Sequence, residues 1–418
     1  MPVRRASQPS AVRLVLVLGA LSALIPLAID MYLPGLTRMA SDLGTSPRLV
    51  QQTLTVFILG LALGQIVVGP ISDACGRRPL LLGGLATYSV GSLVCAAAPT
   101  IGALLAGRAV QSLGAACLVV LVRAMVRDLF NGIAMTRLFS ALMLVTGLGP
   151  ILAPLIGGQL LALASWRVIF FVLTALGLLL LAVAALWLSE TLPDSRRQPL
   201  DIRSQTRILG QLVRDRDFAR YVLSGAFYFA ALFAYLTGSP FVLQDVYGLS
   251  LQQYSVVFSI NGVGMLLVSQ LNGFLVGRVA DEQELLTASL TTGALGGLGA
   301  MACSITGAPL APLLVCLFLV VSMLGPVFAN STSLALSRHG DSAGAASSLM
   351  GVPQFGVAAV AGAVSGSSTV SMAAPICIAT LAAVTVDRLG RPRVRLRRPT
   401  GRRLDVSPQS ADLARKEA

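Results

Sequence analysis

Very few side chains in this sequence can do chemistry. Asp30 lies in the stretch Pro26-Leu27-Ala28-Ile29-Asp30-Met31-Tyr32-Leu33-Pro34, inside an apolar run from about 14 to 36. An acid kept at lipid depth is costly, so its presence points to a proton relay, an ion site or a counter-charge for a substrate. The plainer alternative is a helix-end acid that reaches interfacial water. Arg108 sits inside another apolar run, in Leu104-Leu105-Ala106-Gly107-Arg108-Ala109-Val110-Gln111-Ser112. At the rise of an α-helix both residues lie ~10 Å from the same end of their spans, a depth that allows pairing. For Arg108 the alternative is a structural guanidinium bonded to backbone carbonyls. Other chemistries lack their parts: the single histidine, His339, falls in a polar loop beside Arg338 and Asp341, and the six cysteines show no C-x-x-C spacing. One in-span acid cannot make an aspartyl dyad. No enzyme, metal site or organic cofactor is expected, only a proton gradient.

The elements that must position Asp30 and Arg108 are membrane helices. The 418 residues are 55% hydrophobic and 12% charged, with a mean hydropathy of +0.80, which describes a polytopic membrane protein rather than soluble domains. A net charge of +13 would suit a nucleic-acid binder, but the arginines stand between and after apolar runs, with no soluble domain to present them to a groove. After the first run, further runs fall near 49–71, 80–98, 101–125, 137–162, 168–189, 218–241, 251–276, 285–305, 310–330, 344–366 and 369–386. Each approaches the ~20 residues that cross a bilayer, giving twelve helices. Residues 1–13 form a basic leader, 14–189 a first six-helix bundle, 190–217 a polar linker, 218–386 a second six-helix bundle and 387–418 a polybasic tail. Loops on the terminal side carry Arg77-Arg78, Arg127, Arg137, the linker arginines, Arg278 and Arg338; the opposite loops carry only Arg38, Arg48 and Arg167. The positive-inside rule therefore places both termini in the cytoplasm. The tail reads as an anchor on anionic membrane lipid.

Three further stretches carry more than span and charge. Gly69-Pro70-Ile71-Ser72-Asp73-Ala74-Cys75-Gly76-Arg77-Arg78 lets two helices turn within a short loop, while Asp73, Arg77 and Arg78 can tie neighbouring helix ends together by charge. Gly277-Arg278-Val279-Ala280-Asp281 repeats part of it in the second half, in keeping with duplicated bundles. Gly147-Leu148-Gly149-Pro150-Ile151-Leu152-Ala153-Pro154-Leu155-Ile156-Gly157-Gly158 sets two prolines four apart on one helix face, among glycines that admit a close neighbour. Trp166-Arg167 followed by Phe170 is by itself an interfacial anchor.

Together these stretches resemble the major facilitator superfamily. The loop after span two is similar to its G-x-x-x-D-x-x-G-R-R signature, with Ala74 where a basic residue is common; span four is similar to its R-x-x-Q-G signature, with Ser112 where Gly is usual. The Gly-Pro stretch of span five resembles the antiporter motif of its drug exporters, and Asp30-Met31-Tyr32-Leu33-Pro34 resembles the start of the Bcr/CflA branch, the bicyclomycin and chloramphenicol resistance exporters. Some related exporters carry a second acid two turns before this one, where Ser22 stands here.

The resemblance implies an all-α major facilitator fold and an inner-membrane drug:proton antiporter, working as a monomer on small lipophilic substrates. Asp30 and Arg108 would couple protons; Gly69, Asp73, Gly76, Arg77 and Arg78 would latch one conformation; Gly149, Pro150, Pro154, Gly157 and Gly158 would hinge span five. Tyr32, Gln65, Gln111, Tyr228, Tyr235, Asn261 and Asn272 are polar groups that could line an apolar substrate cavity. Export of an endogenous metabolite or natural product by the same antiport is the alternative reading.

Overall fold

The computed structural model describes residues 11–130, 132–193, 195, 197, 215–337 and 343–390. Residues 1–10 of the leader, most of the linker, His339 and the tail beyond Gly390 lie outside the described residues, while the first helix already starts at Ala11 and the last takes in Asp387 to Leu389. Among the described residues there are fourteen α-helices and no β-strand. The first half comprises α1 (Ala11–Asp30), α2 (Leu36–Asp42), α3 (Pro47–Cys75), α4 (Arg77–Ala97), α5 (Ile101–Leu129), α6 (Gly132–Leu163) and α7 (Arg167–Trp187). The second comprises α8 (Arg216–Phe241), α9 (Leu251–Leu275), α10 (Glu282–Thr306), α11 (Leu310–Ser322), α12 (Leu324–Leu336), α13 (Ala343–Val364) and α14 (Thr369–Leu389).

Fourteen helices make twelve crossings because two crossings are broken. The first divides at the turn after Asp30: Leu33–Gly35 tighten into a 3₁₀ turn with Pro34 at its start, and α2 continues for seven residues. The tenth divides at Met323, just before Gly325 and Pro326. Ten segments are apolar and long enough to cross a bilayer, and α6 and α13 supply two more apolar stretches at 147–163 and 350–364. Several helices outrun their expected limits: α3 continues to Cys75 and α5 to Leu129, because the charged ends of these helices are bonded to neighbours rather than frayed.

With lipid on the outside there is little hydrophobic drive between helices, and close packing of small residues takes its place. The α4–α5 pair shows this. Gly91 lies against the Gln111 backbone and Gly114 against the Tyr88 backbone, so a methyl at either would collide with main chain. Gly60 and Gly64 similarly seat α3 on Ser112 and Ala116 of α5. Large apolar side chains that find no place inside, such as Leu63, Leu163, Leu267, Phe274 and Ile378, remain exposed around the bundle, as expected of a lipid-facing belt.

The halves meet along two crossings, α3 with α13 and α6 with α9. At the end that carries α2, opposite the termini, they are also bonded. The Gln51 amide donates to the Thr237 carbonyl at 3.1 Å, and the Gln244 amide to the Pro34 carbonyl at 3.1 Å.

Candidate functional site: Asp30 at the junction of the halves

Asp30 ends α1, is 5% exposed and makes no hydrogen bond or ion pair with any described residue. The backbone that holds it is bent. Pro26 removes a donor inside α1, Pro34 opens the following turn, and the α6 glycines admit the displaced chain: Gly149 lies against the Pro26 ring and Gly157 against the Met31 carbonyl. The Gly-Pro stretch of α6 is thus the seat of the Asp30 turn. It also faces the other half, where Gly158 abuts Ser255, Ile151 lies over Gly262 and the Ser259 hydroxyl donates to the Ile151 carbonyl at 2.7 Å.

Arg108 does not pair with Asp30, although their depths allow it. Its guanidinium is wholly buried. It donates to the Ala28 carbonyl at 3.0 Å, the Gln111 Oε1 at 2.7 Å, the Thr53 carbonyl at 3.4 Å and the Tyr32 hydroxyl at 3.4 Å. Its Cζ lies 4.2 Å from the Phe57 ring centre and 4.6 Å from that of Tyr32. Carbonyl oxygens and aromatic faces replace the water that a buried cation loses. Gln111, one turn on, passes the chain to the Ser92 hydroxyl at 2.8 Å. Arg108 therefore ties α5 to α1, α3 and α4, and the reading of it as bonded to backbone carbonyls describes its geometry.

Other expected cavity residues divide in two. Gln111 is wholly buried in the Arg108 cluster. Tyr228 donates to the Val320 carbonyl at 2.8 Å and wedges against Gly293 within the second half, and Asn272 forms a reciprocal amide pair with Asn330 at 2.8 and 3.2 Å. These three brace helices, because a polar group in a dry bundle takes the nearest partner. Gln65 bonds the Leu61 carbonyl one turn back at 3.2 Å and approaches Gly351 of α13. Tyr32 shares a hydroxyl contact of 3.2 Å with Thr53. Tyr235 and Asn261 belong together near the site: the Asn261 amide donates to the Tyr235 hydroxyl at 2.9 Å, and the Tyr235 ring stacks on Phe258 at 5.7 Å.

At the terminal end the loop signature is assembled as a charged clasp. Arg77 contacts Asp73 at 2.6 Å and Asp128 of α5 at 3.0 Å, and also donates to the Ser72 hydroxyl at 2.5 Å. Gly76, with φ of +95°, makes the turn between α3 and α4, while a methyl at Gly69 would meet no neighbouring helix within 4 Å among the described residues. Sequence reasoning missed the next member. Glu190, just past α7, accepts from the Arg77 and Arg78 backbone amides at 2.9 and 3.1 Å, capping α4. Arg78 itself reaches the Ala185 carbonyl at 2.7 Å. Burial pushes the Glu190 carboxyl up, but the backbone amides of Leu192, Arg77, Arg78 and Thr191 pull it further down, below the ordinary range. An acid directly after the last helix of a half was the available signal. The second half has its own version: Gln283 at the start of α10 accepts from Arg220 at 2.8 Å and from Tyr221 at 2.7 Å, and donates to Asp387 at 3.0 Å. Each clasp stays within its own half.

Two six-crossing bundles meeting around a buried, bent acid site define a membrane transporter rather than an enzyme. Residues 18–363 match the Major Facilitator Superfamily, and the chain belongs to it. It is 40% identical over 344 residues to "Uncharacterized MFS-type transporter YdgK" of Bacillus subtilis, covering 81% of this chain and 85% of that one. It is 33% identical over 382 residues to "Bicyclomycin resistance protein homolog" of Haemophilus influenzae, covering 91% and 96%. That second match, with "Multidrug resistance protein MdtL" of Escherichia coli at 28% over 335 residues (80% and 83%), sets it with the Bcr/CflA-type drug-resistance branch. Among solved structures, a D-xylose–proton symporter superposes with a TM-score of 0.69 at 15% identity (92% of this chain, 100% of that one). The human organic anion transporter MFSD10 superposes at 0.62 with 21% identity, covering 92% and 100%. Both share the fold.

Proposed function

We propose that this transporter exports small lipophilic drugs of the chloramphenicol or bicyclomycin kind across the bacterial inner membrane in exchange for protons, as a monomer with both termini in the cytoplasm. The observation that carries the reading is Asp30: a buried acid that pairs with no cation among the described residues, set in a bent helix where the two halves meet. A group so placed changes its charge state when its surroundings change, and rocking of the halves changes them. Drug enters from the cytoplasm or inner leaflet as Asp30 gives up its proton; the halves rock; an external proton returns to Asp30 as drug leaves. Arg108 holds α1 in register for this, and the Arg77 clasp holds the first half together as it moves. With the termini in the cytoplasm, the Gln51–Thr237 and Gln244–Pro34 bonds form the periplasmic closure.

The test is exchange in inverted vesicles from a pump-deficient strain, with a drug panel that includes chloramphenicol, florfenicol and bicyclomycin. With the lumen acidified beforehand by respiration, wild-type vesicles are expected to lose part of that gradient on adding a transported drug, and Asp30→Asn is expected to abolish this loss. Wild-type exchange by Asp30→Asn would remove Asp30 from the cycle. Absence of exchange with every panel drug would remove drugs of this kind as substrates.

A further inference from the structure

Two polar groups on α3 stay unbonded although they are buried. Gln51 is 1% exposed and Thr55 7%. The Gln51 amide nitrogen is used on the Thr237 carbonyl, but its Oε1 has no hydrogen-bond partner among the described residues, and neither has the Thr55 hydroxyl. Other buried helix threonines in this chain bond to their own backbone. Thr174, Thr237 and Thr380 donate to the carbonyl one turn back at 2.8, 2.7 and 2.9 Å. The Thr55 hydroxyl does not, which leaves it free for a group outside its helix.

Gln51 and Thr55 are one turn apart, so they stand on one face of α3, and α3 packs on α13 of the second half. There Gly362 offers no side chain. A methyl on Gly362 would lie 3.5 Å from the Thr55 hydroxyl oxygen and 3.1 Å from that of Thr237 on α8. Hydroxyls from the two halves thus converge over one glycine, beside the amide that crosses between them. The Thr237 hydroxyl donates to the Phe233 carbonyl and keeps lone pairs with which to accept.

We propose that Gln51, Thr55 and Thr237, set over Gly362, form a subsite that takes one alcohol-type hydroxyl, of an ordered water or of the transported drug. A buried donor or acceptor left unpaired is costly. A hydroxyl relieves two at once, donating to the Gln51 Oε1 and accepting from the Thr55 O–H. The walls come from α3 of one half and from α8 and α13 of the other, so the subsite is complete only while the halves meet at this end. A guest that binds only the closed arrangement favours it. The inference deepens the export reading and rests on its assignment of this end as the closure.

The test uses full-length protein in detergent and Thr55→Val, which removes the hydroxyl and keeps the branched shape. A hydroxyl that lacks any guest is a burden, and its removal leaves the melting temperature unchanged or raises it. A hydroxyl bonded to a guest is missed. If water is the guest, drug-free Thr55→Val is expected to melt about 2 °C lower than wild type. If the drug is the guest, the drug-free proteins melt alike, and the Kd for chloramphenicol, which carries alcohol hydroxyls, is expected to weaken about 3- to 10-fold in the variant. No fall in melting temperature together with an unchanged Kd would overturn the subsite. In Gly362→Ala the methyl takes up the guest's space, and in that background Thr55→Val is expected to lose neither quantity. An equal loss in both backgrounds would trace to packing and would also overturn it. Should wild-type protein bind no drug of the panel, the drug reading fails, and the drug-free comparison alone decides the subsite.

Discussion

At the scale of residues, charged side chains do different work according to what they touch. Among the described residues Arg108 is the most deeply buried cation, yet its charge is absorbed by carbonyls and ring faces, so its contribution is to register. Asp30 has no such partners and keeps its chemistry available. Glu190 shows the same logic outside the membrane. Four backbone amides stabilise its charged form, so its carboxyl titrates below the ordinary value of 4.5. A group depressed in the folded state stabilises fully above its unfolded value and loses that contribution as the pH falls through its folded one. Wild-type protein in detergent is therefore expected to melt higher than Glu190→Gln at neutral pH, by the worth of a helix cap, about 1 kcal/mol. The gap should close as the pH is lowered past about 4; a gap independent of pH would show that the charge is not what caps α4.

Among the elements, α6 carries the most consequence. Its prolines and glycines give it two faces, one holding the kinked end of α1 and one packed against α9. The two roles make a prediction at Gly157, where a methyl would meet the Met31 carbonyl. Main chain cannot rotate out of the way, so Gly157→Ala is expected to lower stability by about 1–3 kcal/mol and to displace the Asp30 turn, cutting exchange more than Gly147→Ala does. Gly147 meets only a leucine side-chain carbon at 3.7 Å and serves as the comparison. Melting temperature and vesicle exchange on both variants check it; equal behaviour of the two would mean that α6 does not seat the turn. The clasps belong to this scale too. Arg77 and Asp128 hold α4 to α5, Gln283 and Asp387 hold α10 to α14, and each clasp ties helices of a single half.

For the whole molecule the prediction concerns the closure between those bodies. Gln51 of α3 and Thr237 of α8 touch where the halves meet at the α2 end. Cysteines placed at both positions, in a background with the six native cysteines replaced, are expected to be bridged by a short bifunctional thiol reagent and to stop exchange once bridged. Either cysteine alone, treated alike, should leave exchange intact. Full exchange by the bridged double variant would show that this end need not open.

Much of this was legible in the residues themselves. Twelve apolar runs, the arginine bias between them and the polar break at 190–217 specify a two-bundle membrane protein, because span length and loop charge are properties of local sequence acting on a bilayer; the resemblance carried by Asp73, Gly76, Arg77 and Arg78 added the transporter. Asp30 was legible as well, since an acid inside an apolar run is conspicuous without any fold. The partners were not. Depth along two helices suggested that Asp30 and Arg108 would meet, but depth leaves the rotation of each helix about its axis undetermined. That rotation is set by which glycines seat against which neighbours, across separations such as Gly157 with Met31. It turned Arg108 toward the carbonyls of α1 and α3 and left Asp30 without a bond to it.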